Sequence, residues 1–207
     1  MMAFAPAGSG TVILHNVAPK FYAALVAAAA DDVRARIAFD GETLEIVAPS
    51  ADHERCARLV DRLMAVLALE YGVDIEFFGS TTFKTPAGGG EPDACFYIAS
   101  AGAVLGKRAL DLAIDPPPDI VCEIDLTRER IDKRGLYASF GVPEFWRFDG
   151  ESMCAYALRR AEYVEVEHSV AFPWLAIAEV ERFLKMRETS GQTEIIRAWR
   201  AWLLARR

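Results

Sequence analysis

The spacing of apolar residues along the chain divides it into helical and extended segments. The clearest helix is predicted over residues 52–71, where apolar positions three and four apart form a single stripe. The stripe consists of Cys56, Leu59, Val60, Leu63, Met64 and Leu67. Ser50 or Asp52 can cap the start of this helix, and Gly72 ends it. Further helices are predicted over residues 19–36, about 128–140, 177–183 and 195–204.

Short apolar runs bounded by glycine, proline or aspartate predict strands. The strongest turn signal is Asp40-Gly41, which predicts a hairpin over residues 36–47. Residues 120–126 are apolar on both faces, which is typical of a strand inside a sheet. Other predicted strands cover residues 74–78, 81–84, 91–98 and 144–149, with a second hairpin over 153–167. Residues 87–90 are predicted to be a loose loop.

The length and composition favour a single globular domain. A chain of 207 residues can bury one core of good size, and no internal repeat or change of composition marks a second domain. We predict a loose leader over residues 1–18, a domain over 19–187, and a helix over 188–207 that packs on the domain or on a partner. The chain lacks the run of about 18 apolar residues that a membrane span needs. Its start also lacks the basic segment of a secretory signal.

The net charge and the cysteines indicate which partners and which cellular compartment to expect. The formal net charge is −7, whereas indiscriminate nucleic-acid binders carry a strong basic surplus. The four cysteines are isolated, with neither a CxxC pair nor the spacing of zinc ligands. They predict buried free thiols and therefore a cytoplasmic protein.

Carboxylates in two apolar runs are the main candidates for chemistry. Strand periodicity puts Asp93 on one face of its strand, and Glu123 with Asp125 on one face of the later strand. If the two strands are neighbours, Asp93 and Glu123 converge at one end of the sheet. Such oxygen ligands suit Mg²⁺ or Mn²⁺. The ion could polarise a phosphodiester, and Lys133 could stabilise the charge of the transition state.

Structural roles are the alternative for each of these residues. Asp93 follows a proline and could simply begin a strand in water, while Glu123 could form a structural ion pair with Arg128 or Lys133. A structural role is harder to accept for Glu123 and Asp125 together, because burying unpaired charge in an apolar strand is costly.

Four segments of the chain match a known family in order and spacing. They are Glu91-Pro92-Asp93 with Cys95-Phe96-Tyr97-Ile98, then Pro117-Pro118-Asp119-Ile120-Val121-Cys122-Glu123-Ile124, then Lys133 with Tyr137, and then Gly141-Val142-Pro143-Glu144-Phe145-Trp146. Over about residues 37–184 the sequence resembles the Uma2 family, formerly DUF820, of the PD-(D/E)XK nuclease superfamily. The resemblance implies an α/β fold with a restriction-endonuclease-like core, in which helices flank a mixed β-sheet with an added β-hairpin. It also implies metal-dependent cleavage of phosphodiesters.

The resemblance implies roles for single residues. Asp93 matches the aspartate of the family's Pro-Asp motif and Glu123 its second acidic residue, so both are expected to ligate the metal. The superfamily pattern places a lysine two residues after Glu123, but Asp125 stands there, and Lys133 matches the lysine in the following helix. Asp125 then either adds a third carboxylate or orients Lys133 or an arginine. Glu91 is a further candidate beside Asp93.

The start of the helix over 52–71 offers two more candidates, because the superfamily often supplies another acidic ligand there. At about 100° per residue, His53 lies nearer the apolar stripe than Glu54, so His53 is expected to point inward. The alternatives are a capping or packing histidine and an exposed Glu54 that pairs with Arg58.

These inferences predict a divalent-metal-dependent endonuclease that uses Mg²⁺ or Mn²⁺ and cleaves DNA. The catalytic residues would be Asp93, Glu123 and Lys133, with the two carboxylates as metal ligands. A homodimer is expected, because cutting both strands requires two active sites and the apolar segment over 195–204 offers a surface. The alternative is a catalytically inactive relative that binds nucleic acid, or that binds a protein through its C-terminal helix.

Overall fold

The structure is a computed structural model that describes residues 10–29, 35–79, 81–85, 88–126 and 133–207. Its helices are α1 (Pro19–Ala29), α2 (Ala51–Tyr71), α3 (Ala101–Val104), α4 (Lys133–Ser139), α5 (Ile177–Lys185) and α6 (Gln192–Leu204). Its strands are β1 (Gly10–Leu14), β2 (Arg36–Phe39), β3 (Leu44–Ala48), β4 (Glu76–Phe78), β5 (Phe83–Thr85), β6 (Gly88–Gly90), β7 (Ala94–Tyr97), β8 (Ile120–Ile124), β9 (Glu144–Phe148), β10 (Met153–Arg159) and β11 (Glu162–Val166).

The strands form two sheets. The larger sheet has the order β11-β10-β9-β8-β7-β4, and its neighbours are antiparallel except β8 and β9, which run parallel. This confirms the predicted α/β fold with a mixed sheet flanked by helices, and β10 with β11 is the predicted added hairpin. The smaller sheet is antiparallel throughout, with the order β1-β3-β2-β6-β5.

The two faces of the larger sheet pack against different helices. Ala94 of β7 and Cys122 of β8 lie in the cluster that contains α2, α5 and α6. Cys95 and Val121, one residue along each strand, lie in the cluster on the other face, which contains α4. Successive strand residues point to opposite faces, so carboxylates that share the parity of Cys95 and Val121 face α4.

Local signals explain why α2 begins and ends where it does. The side chain of Ser50 accepts a hydrogen bond from the backbone N–H of His53 at 3.2 Å, which satisfies one of the free donors at the helix start. Gly72 ends the helix in the left-handed conformation at φ 65°, which glycine adopts without strain. The predicted apolar stripe is buried along the whole helix.

The C-terminal helix α6 packs on the domain. Trp199 is fully buried, and its indole N–H donates a hydrogen bond to the carbonyl oxygen of Leu63 in α2 at 2.8 Å. Its ring also lies edge-on to Phe183 of α5, with centroids 4.9 Å apart. Of the two surfaces considered for this helix, its apolar side therefore covers its own domain.

The predictions for the N-terminal part need correction. The predicted leader over 1–18 is not loose over Gly10–Leu14, because β1 pairs with β3 there; residues 1–9 lie outside the described residues. The first helix is described over Pro19–Ala29, residues 30–34 lie outside the described residues, and Arg36 begins strand β2 and is not helical as predicted. The residues of β2 alternate between partly buried and buried, and the side chains of Ile37 and Phe39 are buried in a cluster with Tyr22 of α1.

The glycine run over 88–90 is a buried strand, and not the predicted loose loop. β6 lies between β2 and β5, where other groups approach its backbone closely. A Cβ atom at Gly88 would lie 2.5 Å from the carbonyl oxygen of Phe39, and one at Gly90 would lie 2.8 Å from Leu136 of α4. Only glycine leaves room for these approaches, so a composition typical of loops forms a strand here.

The helix predicted over about 128–140 is present as α4 from Lys133, and residues 127–132, including Arg128, lie outside the described residues. Cys56, Cys95 and Cys122 are buried free thiols as predicted, whereas Cys154 is partly exposed. None of the described helices combines the length and apolar character needed to cross a membrane.

Candidate active site

A cleft opens between the two sheets and contains the acidic residues singled out from the sequence. Its cavity volume is about 50 Å³. Strands β2 and β3 of the smaller sheet form one wall, and the ends of β7 and β8 form the other. The cleft is lined by Arg36, Glu45, His53, Glu91, Asp93, Glu123, Asp125, Lys133 and Tyr137, among others.

Asp93 and Glu123 face each other across the end of the antiparallel pair β7 and β8. The register pairs Ala94 with Cys122, so one step further along the two chains Asp93 stands opposite Glu123. The backbone N–H of Asp93 donates to the carbonyl oxygen of Cys122 at 3.1 Å, which continues the ladder to this point. Opposed residues of a sheet have Cβ atoms about 5 Å apart on the same face. The structure thus brings the two carboxylates together, and both are almost completely buried, at 2% and 1% exposure.

Three groups hold the Asp93 carboxylate. Its Oδ2 atom accepts hydrogen bonds from the backbone N–H of Ile124 at 2.6 Å and from Nε2 of His53 at 2.9 Å. Its Oδ1 atom forms an ion pair with Nη1 of Arg36. Burial first, and then the positive charges of Arg36 and Lys133, lower the pKa of His53 to about 4. His53 is therefore neutral at pH 7 and donates its Nε2 proton to Asp93.

Two side chains of α4 hold the Glu123 carboxylate. The Nζ atom of Lys133 lies 2.8 Å from Oε2, and the hydroxyl of Tyr137 donates to Oε1. Burial, and then the negative charge of Glu123, raise the pKa of Tyr137 well above its usual value, so the hydroxyl remains a donor. Lys133 and Tyr137 are four residues apart and thus lie on one face of the helix.

Asp125, at the position of the superfamily's lysine, contacts an arginine. Glu123 and Arg147 are partners in the parallel register of β8 and β9. The guanidinium of Arg147 donates to Oδ2 of Asp125 from Nη2 at 2.7 Å and from Nε at 3.2 Å. Of the roles considered for Asp125, orienting an arginine is the one that these contacts support.

The two candidates at the start of α2 lie on different sides of the site. His53 points inward to Asp93, as predicted from the helix geometry, whereas the side chain of Glu54 is 46% exposed. Glu54 does not pair with Arg58, since Arg58 pairs with Asp61 at 2.8 Å. Instead, Oε1 of Glu54 accepts from Nη2 of Arg36 at 2.7 Å.

Glu91 lies in the cleft but precedes strand β7. Its Oε1 atom accepts a hydrogen bond from the hydroxyl of Thr82 at 2.7 Å. Glu91 is therefore bound to the segment before β5 and lies beside Asp93, the residue two positions further along the chain.

Sequence reasoning assigned no role at this site to Arg36 or to the hydroxyl of Tyr137, and it left open which arginine Asp125 contacts. A signal for Arg36 existed, because an arginine next to the apolar residues of a strand needs a partner when buried. Tyr137, which matches the family in the same segment as Lys133, is a core aromatic at 1% exposure. Its hydroxyl is nevertheless bound to Glu123, since a buried tyrosine usually finds a hydrogen-bond partner.

A divalent cation is the group that the PD-(D/E)XK resemblance implies, so the donors must fit one. Within the described ranges, no three His, Cys, Asp or Glu side chains form a metal-binding group. Mg²⁺, however, is usually held by one or two carboxylates, with waters completing its shell. Asp93 and Glu123 are two hard donors on opposed residues, and a carboxylate has about four lone-pair sites. The pair therefore fits Mg²⁺ or Mn²⁺ in the kind and number of donors.

Comparison with known proteins agrees with the fold. A protein from Anabaena variabilis ATCC 29413, whose structure is described as "a putative nuclease belonging to DUF820", matches 73% of this chain and 92% of its own. The TM-score is 0.51 and the sequence identity 15%, which shows the fold alone. The comparison with curated proteins gives no match. The family profile of Uma2, described as "Putative restriction endonuclease", matches residues 19–185. This match spans most of the 207 residues, and the chain therefore belongs to the Uma2 family.

Proposed function

We propose that the protein is an endonuclease that hydrolyses phosphodiester bonds of DNA with Mg²⁺ or Mn²⁺. The observation that carries the proposal is the opposition of Asp93 and Glu123 at the end of β7 and β8, with Lys133 bound to Glu123 at 2.8 Å. Two carboxylates and a lysine in a cleft of a Uma2 protein are the parts that metal-assisted phosphodiester hydrolysis needs.

The residues of the cleft have different roles, which follow from their chemistry. A divalent ion held by Asp93 and Glu123 would supply the charge that polarises the phosphodiester. The ammonium of Lys133 adds a positive charge beside Glu123, and it can stabilise the negative charge that develops on the phosphate oxygens. His53 and Tyr137 fix the orientations of Asp93 and Glu123 by donating one hydrogen bond to each.

The test is cleavage of supercoiled plasmid DNA by the purified protein. We expect nicked and linear products with Mg²⁺ or Mn²⁺ and none with EDTA, and Asp93→Ala and Glu123→Ala should abolish cleavage. Asp115→Asn is the matched control, because Asp115 is also a buried acid paired with a lysine, Lys107, but it does not line the cleft. If the wild type leaves plasmids of varied sequence intact with either ion, or if the Asp93 and Glu123 variants cleave as well as it does, the proposal is wrong.

A second candidate is a catalytically inactive relative that binds nucleic acid or a protein. Its support is that both carboxylates are already ion-paired, Asp93 with Arg36 and Glu123 with Lys133. Those pairs would neutralise the cluster without any ion. This candidate predicts DNA binding in a mobility-shift assay, unaffected by EDTA, together with no cleavage under any condition.

We also propose a homodimer, with a contact surface that differs from the one first considered. The apolar side of α6 is occupied by its own domain, whereas apolar side chains stay exposed at α1 and the edge strand β1. Val12 is 50%, Leu14 39% and Phe21 51% exposed. Val12 and Leu14 pair with Ile46 and Leu44, which pack in the cluster of α1, so all three exposed residues border the same face of the smaller sheet.

A second copy suits this surface because β1 carries no charged side chain. Two β1 strands could therefore pair about a two-fold axis without like charges meeting. Light scattering on the eluted protein should give the mass of a dimer, and Val12→Lys should give a monomer. Ile114→Lys is the control, since Ile114 is 82% exposed and lies elsewhere; equal effects of both changes would contradict this surface.

A further inference from the structure

Arg36 brings a positive charge from the smaller sheet to the carboxylates of the larger one. It is the first residue of β2, and its side chain is 13% exposed. Its Nη1 atom forms an ion pair with Oδ1 of Asp93, and its Nη2 atom lies 2.7 Å from Oε1 of Glu54. One guanidinium thus contacts two carboxylates that come from different elements.

The contact with Asp93 uses the oxygen that an ion would need. Oδ2 of Asp93 already accepts from His53 and from the backbone of Ile124, so Oδ1 is the atom better able to bind a cation. The Nη1 atom of Arg36 forms its ion pair with that oxygen. Two positive groups that share one carboxylate oxygen repel each other strongly where little water screens them. Arg36 and a divalent ion therefore cannot both bind this oxygen.

Glu54 remains an ion-pair partner for Arg36 when a divalent ion binds Asp93. Its side chain is half-exposed and already accepts from Nη2. If the ion pair with Asp93 opens, the guanidinium keeps this second partner and is not left buried without one, which would be costly. Arg36 can therefore release Asp93 to an ion without leaving its own charge unpaired.

We propose that Arg36 competes with a divalent cation for Asp93 and thereby sets how tightly the cleft binds that cation. Arg36 acts through Asp93 and is a positioning residue. The inference rests on the proposed function, because it requires an ion that binds Asp93.

The direct test is the affinity for Mn²⁺, measured by isothermal titration or by the loss of the free-ion signal in electron paramagnetic resonance. Arg36→Gln should bind Mn²⁺ about tenfold more tightly than the wild type, because a repelling charge is removed next to the ligand. Arg147→Gln is the matched control. This variant also removes one arginine charge, but from the ion pair between Arg147 and Asp125. The contact between Arg36 and Asp93 stays in place. The affinity of Arg147→Gln should stay within about twofold of the wild type.

Thermal unfolding gives a second measurement that does not depend on activity. In EDTA, Arg36→Gln should unfold at a lower temperature than the wild type, because Asp93 loses its charged partner. Added Mn²⁺ should raise the unfolding temperature of this variant more than that of the wild type, since tighter binding to the folded state stabilises it more. If Arg36→Gln does not fold, Arg36→Lys serves instead, because a lysine keeps the charge but lacks the fork that contacts both acids. Its Mn²⁺ affinity should then exceed that of the wild type by less than tenfold.

The outcomes separate the inference from the proposed function. If the wild type binds Mn²⁺ through Asp93, as shown by loss of binding in Asp93→Asn, but Arg36→Gln binds no more tightly than Arg147→Gln, the inference alone is wrong. If neither the wild type nor Arg36→Gln binds Mn²⁺ at millimolar concentration, or if Asp93→Asn binds it equally well, the metal-dependent function fails and the inference fails with it.

Discussion

The imidazole of His53 donates to the same oxygen of Asp93 that also accepts the backbone N–H of Ile124. One of these donors comes from the start of α2 and the other from the end of β8, so the rotamer of Asp93 is fixed by two elements at once. These two donors leave only Oδ1 of Asp93 for a charged partner, which is Arg36 in this structure.

Removing this histidine should weaken cleavage without destroying the fold. For His53→Ala we expect kcat/KM on plasmid DNA to fall about 10- to 100-fold, which is the usual cost of losing a group that orients a metal ligand. His53→Gln keeps a donor and should recover part of the loss. Equal losses in both variants, or an unchanged rate in His53→Ala, would contradict a positioning role.

The hydroxyl of Tyr137 should contribute more to stability than an ordinary buried hydroxyl. Tyr137→Phe leaves Oε1 of Glu123 buried without this donor, so we expect a loss of about 1–3 kcal/mol in the free energy of unfolding, measured with urea. Tyr163→Phe is the control, because the Tyr163 hydroxyl donates to the neutral carbonyl of Val142 at 2.8 Å. Its loss should be smaller, about 1 kcal/mol.

Asp125 should matter less for cleavage than the two opposed carboxylates. Its Oδ2 atom is bound by Arg147, and Asp125→Asn keeps an oxygen that can accept from this guanidinium. We expect Asp125→Asn to retain measurable cleavage under conditions in which Asp93→Asn has none. A complete loss in both variants would instead give Asp125 the role of a third carboxylate.

The packing of α6 predicts a large cost for truncating Trp199. Trp199→Ala removes a fully buried ring and its hydrogen bond to Leu63, so we expect about 3–5 kcal/mol of destabilisation in urea unfolding. Trp202 is partly buried at the border of the same cluster, and Trp202→Ala should cost clearly less. Similar small effects of both changes would show that α6 is not part of the core.

Asp115, in the loop before β8, should make the free energy of unfolding fall at acid pH. The hydrogen bond from Lys107 is the main cause that lowers the pKa of Asp115, followed by one from the backbone N–H of Asp111. A lowered pKa means that the stabilisation is present above the ordinary value near 3.8 and is lost as the pH falls below it. Asp115→Asn should therefore lose less stability than the wild type between pH 5 and pH 3 in urea unfolding.

Sequence patterns predicted the parts of this fold that depend on local signals. The helix α2, the hairpin β2–β3 and the hairpin β10–β11 follow from periodicity, caps and turn residues. The opposition of Asp93 and Glu123 followed from strand parity and needed one assumption, that β7 and β8 are neighbours. The structure meets that assumption.

The rest depends on contacts between segments distant in the sequence. Nothing near Arg36 indicates that its guanidinium lies at Asp93, because the contact needs the smaller sheet to pack against the end of the larger one. The partner of Asp125, likewise, is fixed by the parallel pairing of β8 with β9. The strand β6 was missed for a similar reason, since its glycines are required by the groups that approach them and not by the local chain.

The glycines of β6 also link the smaller sheet to the helix that carries Lys133. Leu136 of α4 rests on the bare backbone at Gly90, where a Cβ atom would lie 2.8 Å from the end of its side chain. Leu136 follows Lys133 by three residues on the same short helix, so a larger residue at Gly90 would displace the Leu136 side chain from the surface on which this helix packs. The helix that brings an ammonium to Glu123 thus rests on a strand that has no side chains of its own.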